Sequence, residues 1–61
     1  MKVKELIEII ETDGWFLDRI KGSHRQFKHP LKSGTVTIAG KLSIDMPKGT
    51  VISVLKQAKL R

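Results

Sequence analysis

Residues 15–29, WFLDRIKGSHRQFKH, hold two runs suited to strands, Trp15 to Ile20 and Ser23 to His29, with Lys21-Gly22 between them. Two short β-rich runs around a glycine-bearing dipeptide predict a β-hairpin. With Lys21-Gly22 as the turn, Ile20 faces Ser23, Arg19 faces His24, Asp18 faces Arg25 and Phe16 faces Phe27. Side chains alternate across a strand, so a core-facing Phe16–Phe27 pair leaves His24, Arg19, Gln26 and Lys28 together on the opposite, open face. A second register stays possible, because a type I′ turn prefers Asn or Asp before its glycine. A three-residue turn with Gly22 as a bulge would bring Asp18 opposite His24, favouring the protonated ring; Arg19 there would favour the neutral one. The two-residue turn is the expectation carried forward.

On the N-terminal side, Val3, Leu6, Ile7 and Ile10 recur at i, i+3, i+4 and i+7, which stacks them on one face of a helix, and Gly14 supplies a left-handed stop. On the C-terminal side, Pro30 to Gly34 punctuates the chain. Thr35 to Ala39 then alternates β-branched residues as a third strand, and Gly40 to Met46 reads as a loop. From Pro47, Val51, Val54, Leu55 and Ala58 return to helical spacing. The order α-β-β-β-α predicts an α+β fold: a three-stranded antiparallel sheet with both helices on one face, resembling a double-stranded-RNA-binding domain, over residues 1–61 as one domain.

With 61 residues, the chain hides only about 60% of the surface of its unfolded form, so a large internal pocket is not expected. The absence of cysteine excludes a disulfide framework and a thiolate metal site. Lys2, Lys4, Glu5 and Glu8 interrupt the first ten residues, leaving no apolar stretch for a signal peptide or membrane span, so a cytoplasmic location is expected. Twelve Lys and Arg against six Asp and Glu give a net charge of +6. Such a field attracts polyanions, and nucleic acid leads because neutralising phosphates releases condensed counterions.

His24 on the open face suits acid–base work near neutral pH, since cutting RNA requires only a base for the ribose 2′-hydroxyl and cations for the charge developing at phosphorus. Arg19 and Lys28 are the nearest phosphate candidates. Lys41, Lys48 and Lys56 are further ones, although charged residues flanking a helix's apolar stripe also serve as its solvated face. His29, before Pro30 and on the parity of Phe27, reads as a rim residue with structural work or none. Trp15 and Phe16 read as core area before stacking platforms. No metal site and no cofactor is expected, because two histidines five residues apart among scattered carboxylates form a poor ligand set.

The run Gly14-Trp15, Arg19, Gly22-Ser23-His24 and His29-Pro30, followed by Pro47-Lys48-Gly49-Thr50 and Leu55-Lys56-Gln57-Ala58, resembles the HicA toxins of bacterial toxin–antitoxin pairs, over nearly the whole chain. The resemblance implies a double-stranded-RNA-binding-like fold, metal-free cleavage of mRNA and neutralisation by a HicB-like antitoxin. It makes His24 the catalytic histidine, Gly22 a shaper of the turn that presents it, and Ser23 a candidate hydrogen-bond donor to RNA. Many family members carry Pro-x-His after the third strand, whereas this chain reads Ile38-Ala39-Gly40-Lys41. Non-catalytic RNA binding and an inactive antitoxin-binding role therefore stand beside catalysis, and a monomer or weak dimer is expected for the free protein.

Overall fold

A computed structural model describes residues 1–61. Its elements are α1 (Val3–Thr12), β1 (Phe16–Lys21), β2 (His24–Lys28), β3 (Val36–Ala39) and α2 (Lys48–Gln57), with the strands antiparallel in the order β1-β2-β3. No helix is long and apolar enough to cross a membrane. The predicted fold class is the observed one.

The helices supply the lid of the core. Val3, Leu6 and Ile10 of α1 meet Val54 of α2 and Ala58 just beyond it, over Phe27, Val36 and Ile38, with Trp15 closing the end. Burying a large apolar side chain contributes about 1.5–3 kcal/mol. Trp15 and Phe27 are the largest such groups here, so this small chain leans heavily on them.

Both ends of α1 are satisfied locally. The N–H groups of Val3 and Lys4 donate to the Ile44 and Leu42 carbonyls at 2.9 and 3.0 Å, and Glu5 Oε1 accepts the Lys2 N–H at 2.7 Å. Loop 41–46 is thus the N-terminal cap of α1, filling donors that a helix leaves open. At the other end Gly14 takes φ +109°, its N–H donates to Glu11 O, and the Trp15 N–H donates to Ile10 O. That closes a Schellman motif and turns the chain into β1. Helix α2 ends the same way, with Lys59 at φ 58° and the Leu60 N–H on Leu55 O.

The hairpin differs from the expected register. Its ladder closes on Lys21 opposite His24, so the turn is Gly22-Ser23 rather than Lys21-Gly22. Gly22 has φ 61° and Ser23 a negative φ, the type II′ arrangement, which needs glycine in the first turn position and no Asn or Asp before it. Ile20 therefore faces Arg25 and Arg19 faces Gln26; neither Arg19 nor Asp18 faces His24.

A β-bulge at Asp18 makes the second correction. Beyond it Leu17 pairs with Phe27 and Phe16 with Lys28, so Leu17 takes the helix-side place expected for Phe16. Phe16 is instead on the open face, half exposed. An extra residue inverts the side-chain parity of everything beyond it.

Candidate nucleic-acid interface

The open face of the sheet carries three cross-strand rows: Lys21, His24 and Ala39; Arg19, Gln26 and Thr37; Phe16 and Lys28. His24 is exposed at the end of β2, beside a shallow open hollow lined by Lys21, Gly22, Ser23 and His24. Parity along β2 sets its face, because Phe27 must enter the core and His24 lies three positions away. Its neighbours across the ladder are a cation on one side and a methyl group on the other. A polyanion reaching the ring therefore meets positive charge and little steric obstruction.

The turn is anchored from behind. Arg25, on the helix side with Phe27, donates from Nη1 to the Gly40 carbonyl at 2.6 Å, while the Gly40 N–H donates to Ser23 O at 3.2 Å. These two bonds tie the exit of β3 to the hairpin turn and set Lys41, the next residue, at the same end of the sheet as His24. Arg25 was not among the residues singled out from the sequence. Its parity with Phe27 was readable, but its carbonyl partner, fifteen residues away, was not.

Of the residues predicted to form a site, the structure gathers His24, Arg19 and Lys28 on the open face, Gly22 and Ser23 in the turn, and Lys41 beside it. It adds Lys21, directly across from His24. Lys48 and Lys56 lie on α2, in the helix layer behind the sheet, and do not join that group.

His29 is removed from this face. Its ring is almost buried, T-shaped against Trp15 at 5.2 Å, with Nε2 donating to Asp13 O at 2.7 Å and Nδ1 accepting from the Leu31 and Lys32 N–H groups at 3.0 and 3.1 Å. Both nitrogens are occupied, so His29 locks the β2–β3 loop to the end of α1. Lys32 completes the lock: its Nζ reaches Asp13 Oδ2 at 2.5 Å and the Ala58 carbonyl at 3.2 Å. The Lys32 hydrogen bond holds the Asp13 carboxyl below its ordinary value against some desolvation, with the charge of Lys32 adding to it. The Trp15 indole N–H is buried without a closed hydrogen bond and is the weakest influence on that carboxyl.

The residues that carry these two constellations, Gly14, Trp15, His24 and His29 among them, fall inside a match to the model of the HicA toxin of bacterial toxin–antitoxin pairs, which spans residues 3–60. The chain belongs to the HicA toxin family. Among curated proteins none matches it. As a HicA-family protein it is a toxin whose partner is an antitoxin.

Within this HicA chain the family-like residues divide by task. Gly14, Trp15, His29 and Ala58 build the end of the core, while Gly22, Ser23 and His24 form an exposed turn with no packing duty of its own.

Proposed function

We propose that this HicA protein is a metal-independent endoribonuclease acting on mRNA, with His24 as its general base. The supporting observation is the placement of His24: an exposed imidazole at a turn, opposite Lys21, on a face that also holds Arg19 and Lys28. His24 takes the proton of a ribose 2′-hydroxyl, and the 2′-oxygen attacks the adjacent phosphorus. The bond from phosphorus to the 5′-oxygen breaks, and that oxygen leaves with a proton from water. The products are a 2′,3′-cyclic phosphate and a 5′-hydroxyl. Lys21, Arg19 and Lys28 stabilise the charge that builds on the phosphoryl oxygens, which is where fixed cations accelerate such a step. Ser23 donates to a phosphate, Gly22 holds the turn that aims it, and Lys41 adds charge where many relatives carry a histidine. Lys48 and Lys56 form a separate basic surface for RNA outside the cleavage site. No cofactor enters this chemistry.

The antitoxin, a HicB-like protein, silences the toxin by covering the open face with acidic groups. Incubating the protein with a long single-stranded RNA in EDTA tests the reading. Fragments ending in a cyclic phosphate are expected from the wild type, and from His24→Ala at a rate lower by about 10²–10⁴-fold.

One observation favours a second reading, RNA binding without cleavage. Lys21 and Ala39 flank His24, so no second acid–base group faces it across either ladder. Under that reading the His24→Ala protein binds RNA as the wild type does and neither cuts it.

A further inference from the structure

Strand β1 is the bare edge of the sheet. At the far edge both helices pack on β3, and Gln57 of α2 accepts the Thr37 N–H at 3.4 Å. No backbone group of residues 16–21 has a hydrogen-bond partner outside the hairpin. Leu17 and Ile20 overhang the helix layer, 44% and 59% exposed. Proteins normally shield such an edge, because its free N–H and C=O groups template another strand.

The bulge gives β1 an unusual symmetry. Phe16 is on the open face and Leu17 on the helix side. Asp18 and Arg19 follow together on the open face, their side chains 3.5 Å apart, and then come Ile20 on the helix side and Lys21 on the open face. The pattern reads the same from either end. A regular six-residue strand cannot do this, since alternation places its two ends on opposite faces. Two copies laid antiparallel about a two-fold axis between Asp18 and Arg19 match face to face at every position. Phe16 meets Lys21, Leu17 meets Ile20 and Asp18 meets Arg19. Each pair is complementary: aromatic with cation, apolar with apolar, acid with base.

The backbone agrees with this register. A two-residue turn closes on a hydrogen-bonded pair, here Lys21 and His24, so the next pair, Ile20 and Arg25, turns its N–H and C=O groups outward. The bulge resets the alternation so that Leu17, opposite Phe27, does the same. The outward-facing residues are the two that the axis places opposite one another.

We propose that β1 is a self-association edge on which a second copy of this chain pairs in this register, forming a six-stranded sheet. The interface is isologous and closes as a dimer. It also completes the His24 site, a consequence that rests on the RNA-cleaving reading. The row Ala39–His24–Lys21 continues into Phe16 and Lys28 of the second copy, which add a stacking surface and another cation next to the base.

Sedimentation velocity without RNA, across a wide concentration range, tests the association apart from the chemistry. A concentration-dependent dimer is expected. Arg19→Asp sets two aspartates opposite each other twice across the axis and should weaken the dimer roughly tenfold or more. Combining Asp18→Arg with Arg19→Asp exchanges the charges and should restore it, and Leu17→Lys should abolish it. Circular dichroism checks that each variant is folded. A wild type monomeric at every concentration would overturn the proposal, as would a dimer indifferent to all three variants or one in which the exchange fails to restore what Arg19→Asp removes. A wild type that cuts RNA yet never dimerises sinks the dimer alone; a dimer that cuts no RNA leaves the edge intact and removes the cleavage reading.

Discussion

His29 Nε2 lies 2.7 Å from the point where a Cβ on Gly14 would stand, so the glycine at the end of α1 and the histidine at the end of β2 accommodate each other. The ring approaches Gly14 to reach the Asp13 carbonyl, and it can do so only where no side chain intervenes. Gly14→Ala meets two penalties, a positive φ of 109° and this close contact. A destabilisation on the order of 2–4 kcal/mol is expected, read as a lowered denaturation midpoint with an unchanged denaturant slope.

The hydrogen bonds of His29 fix its tautomer, with the proton on Nε2. Long-range ¹⁵N spectra of the ring should show Nε2 as the protonated nitrogen and Nδ1 as the acceptor. His29→Ala leaves the Leu31 and Lys32 N–H groups without their acceptor and opens space beside Trp15. A loss of about 3 kcal/mol is expected, with the His24 turn undisturbed in the amide spectrum.

Helix α2 offers the opposite change. Lys59 holds φ 58° at a position where glycine is normally favoured, although its Nζ reaches Ser33 Oγ at 2.9 Å. Replacing Lys59 with glycine removes the backbone strain and loses only two exposed hydrogen bonds to Ser33. A net gain of about 0.5 kcal/mol or more is expected in chemical denaturation.

The Asp13–Lys32 contact gives a pH signature with a definite sign. The Asp13 carboxyl is held below its ordinary value by the Lys32 hydrogen bond, so the folded state binds that proton less readily than the unfolded chain. The stabilisation is fully present above the unfolded value and disappears as pH falls through the lower, folded one. Asp13→Asn should therefore reduce stability near neutral pH, and its difference from wild type should shrink below about pH 3.8, where the unfolded carboxyl protonates first. A difference that stays constant down to strongly acid pH would remove the ion pair from the explanation.

The element order, the helix faces and the open-face position of His24 were legible because each follows from periodicity within one segment. Phe27 is the only large apolar residue of β2, and its parity fixes that of His24 however the hairpin pairs. The register was not legible. Gly22 fits either position of a two-residue turn, and only the ladder shows that Ser23 is its second member. The faces of Phe16 and Leu17 were misassigned for a different reason: the bulge at Asp18 has no distinctive residue, no glycine or proline, to announce it. The structural reading of His29 held, but its partner Asp13 and the Gly40 partner of Arg25 escaped, because they lie sixteen and fifteen residues away. A backbone carbonyl leaves no mark in a sequence.

RNA affinity should report which cations meet phosphates. For a single strand each neutralised phosphate adds about 0.7 to the slope of log affinity against log salt. Lys28→Ala should lower that slope by about this amount, together with the affinity, while leaving the fold unchanged. An unchanged slope would take Lys28 off the RNA path.

The most direct measurement is the cleavage of one end-labelled mRNA by wild type and His24→Ala protein, side by side in EDTA, with folding of both verified by circular dichroism. Loss of one general base typically costs 10²–10⁴-fold in rate. We expect cyclic-phosphate-ended fragments from the wild type and a loss of that size in the variant. Equal cleavage by both would contradict the assignment of His24, and cleavage abolished by EDTA in the wild type would contradict the metal-free chemistry.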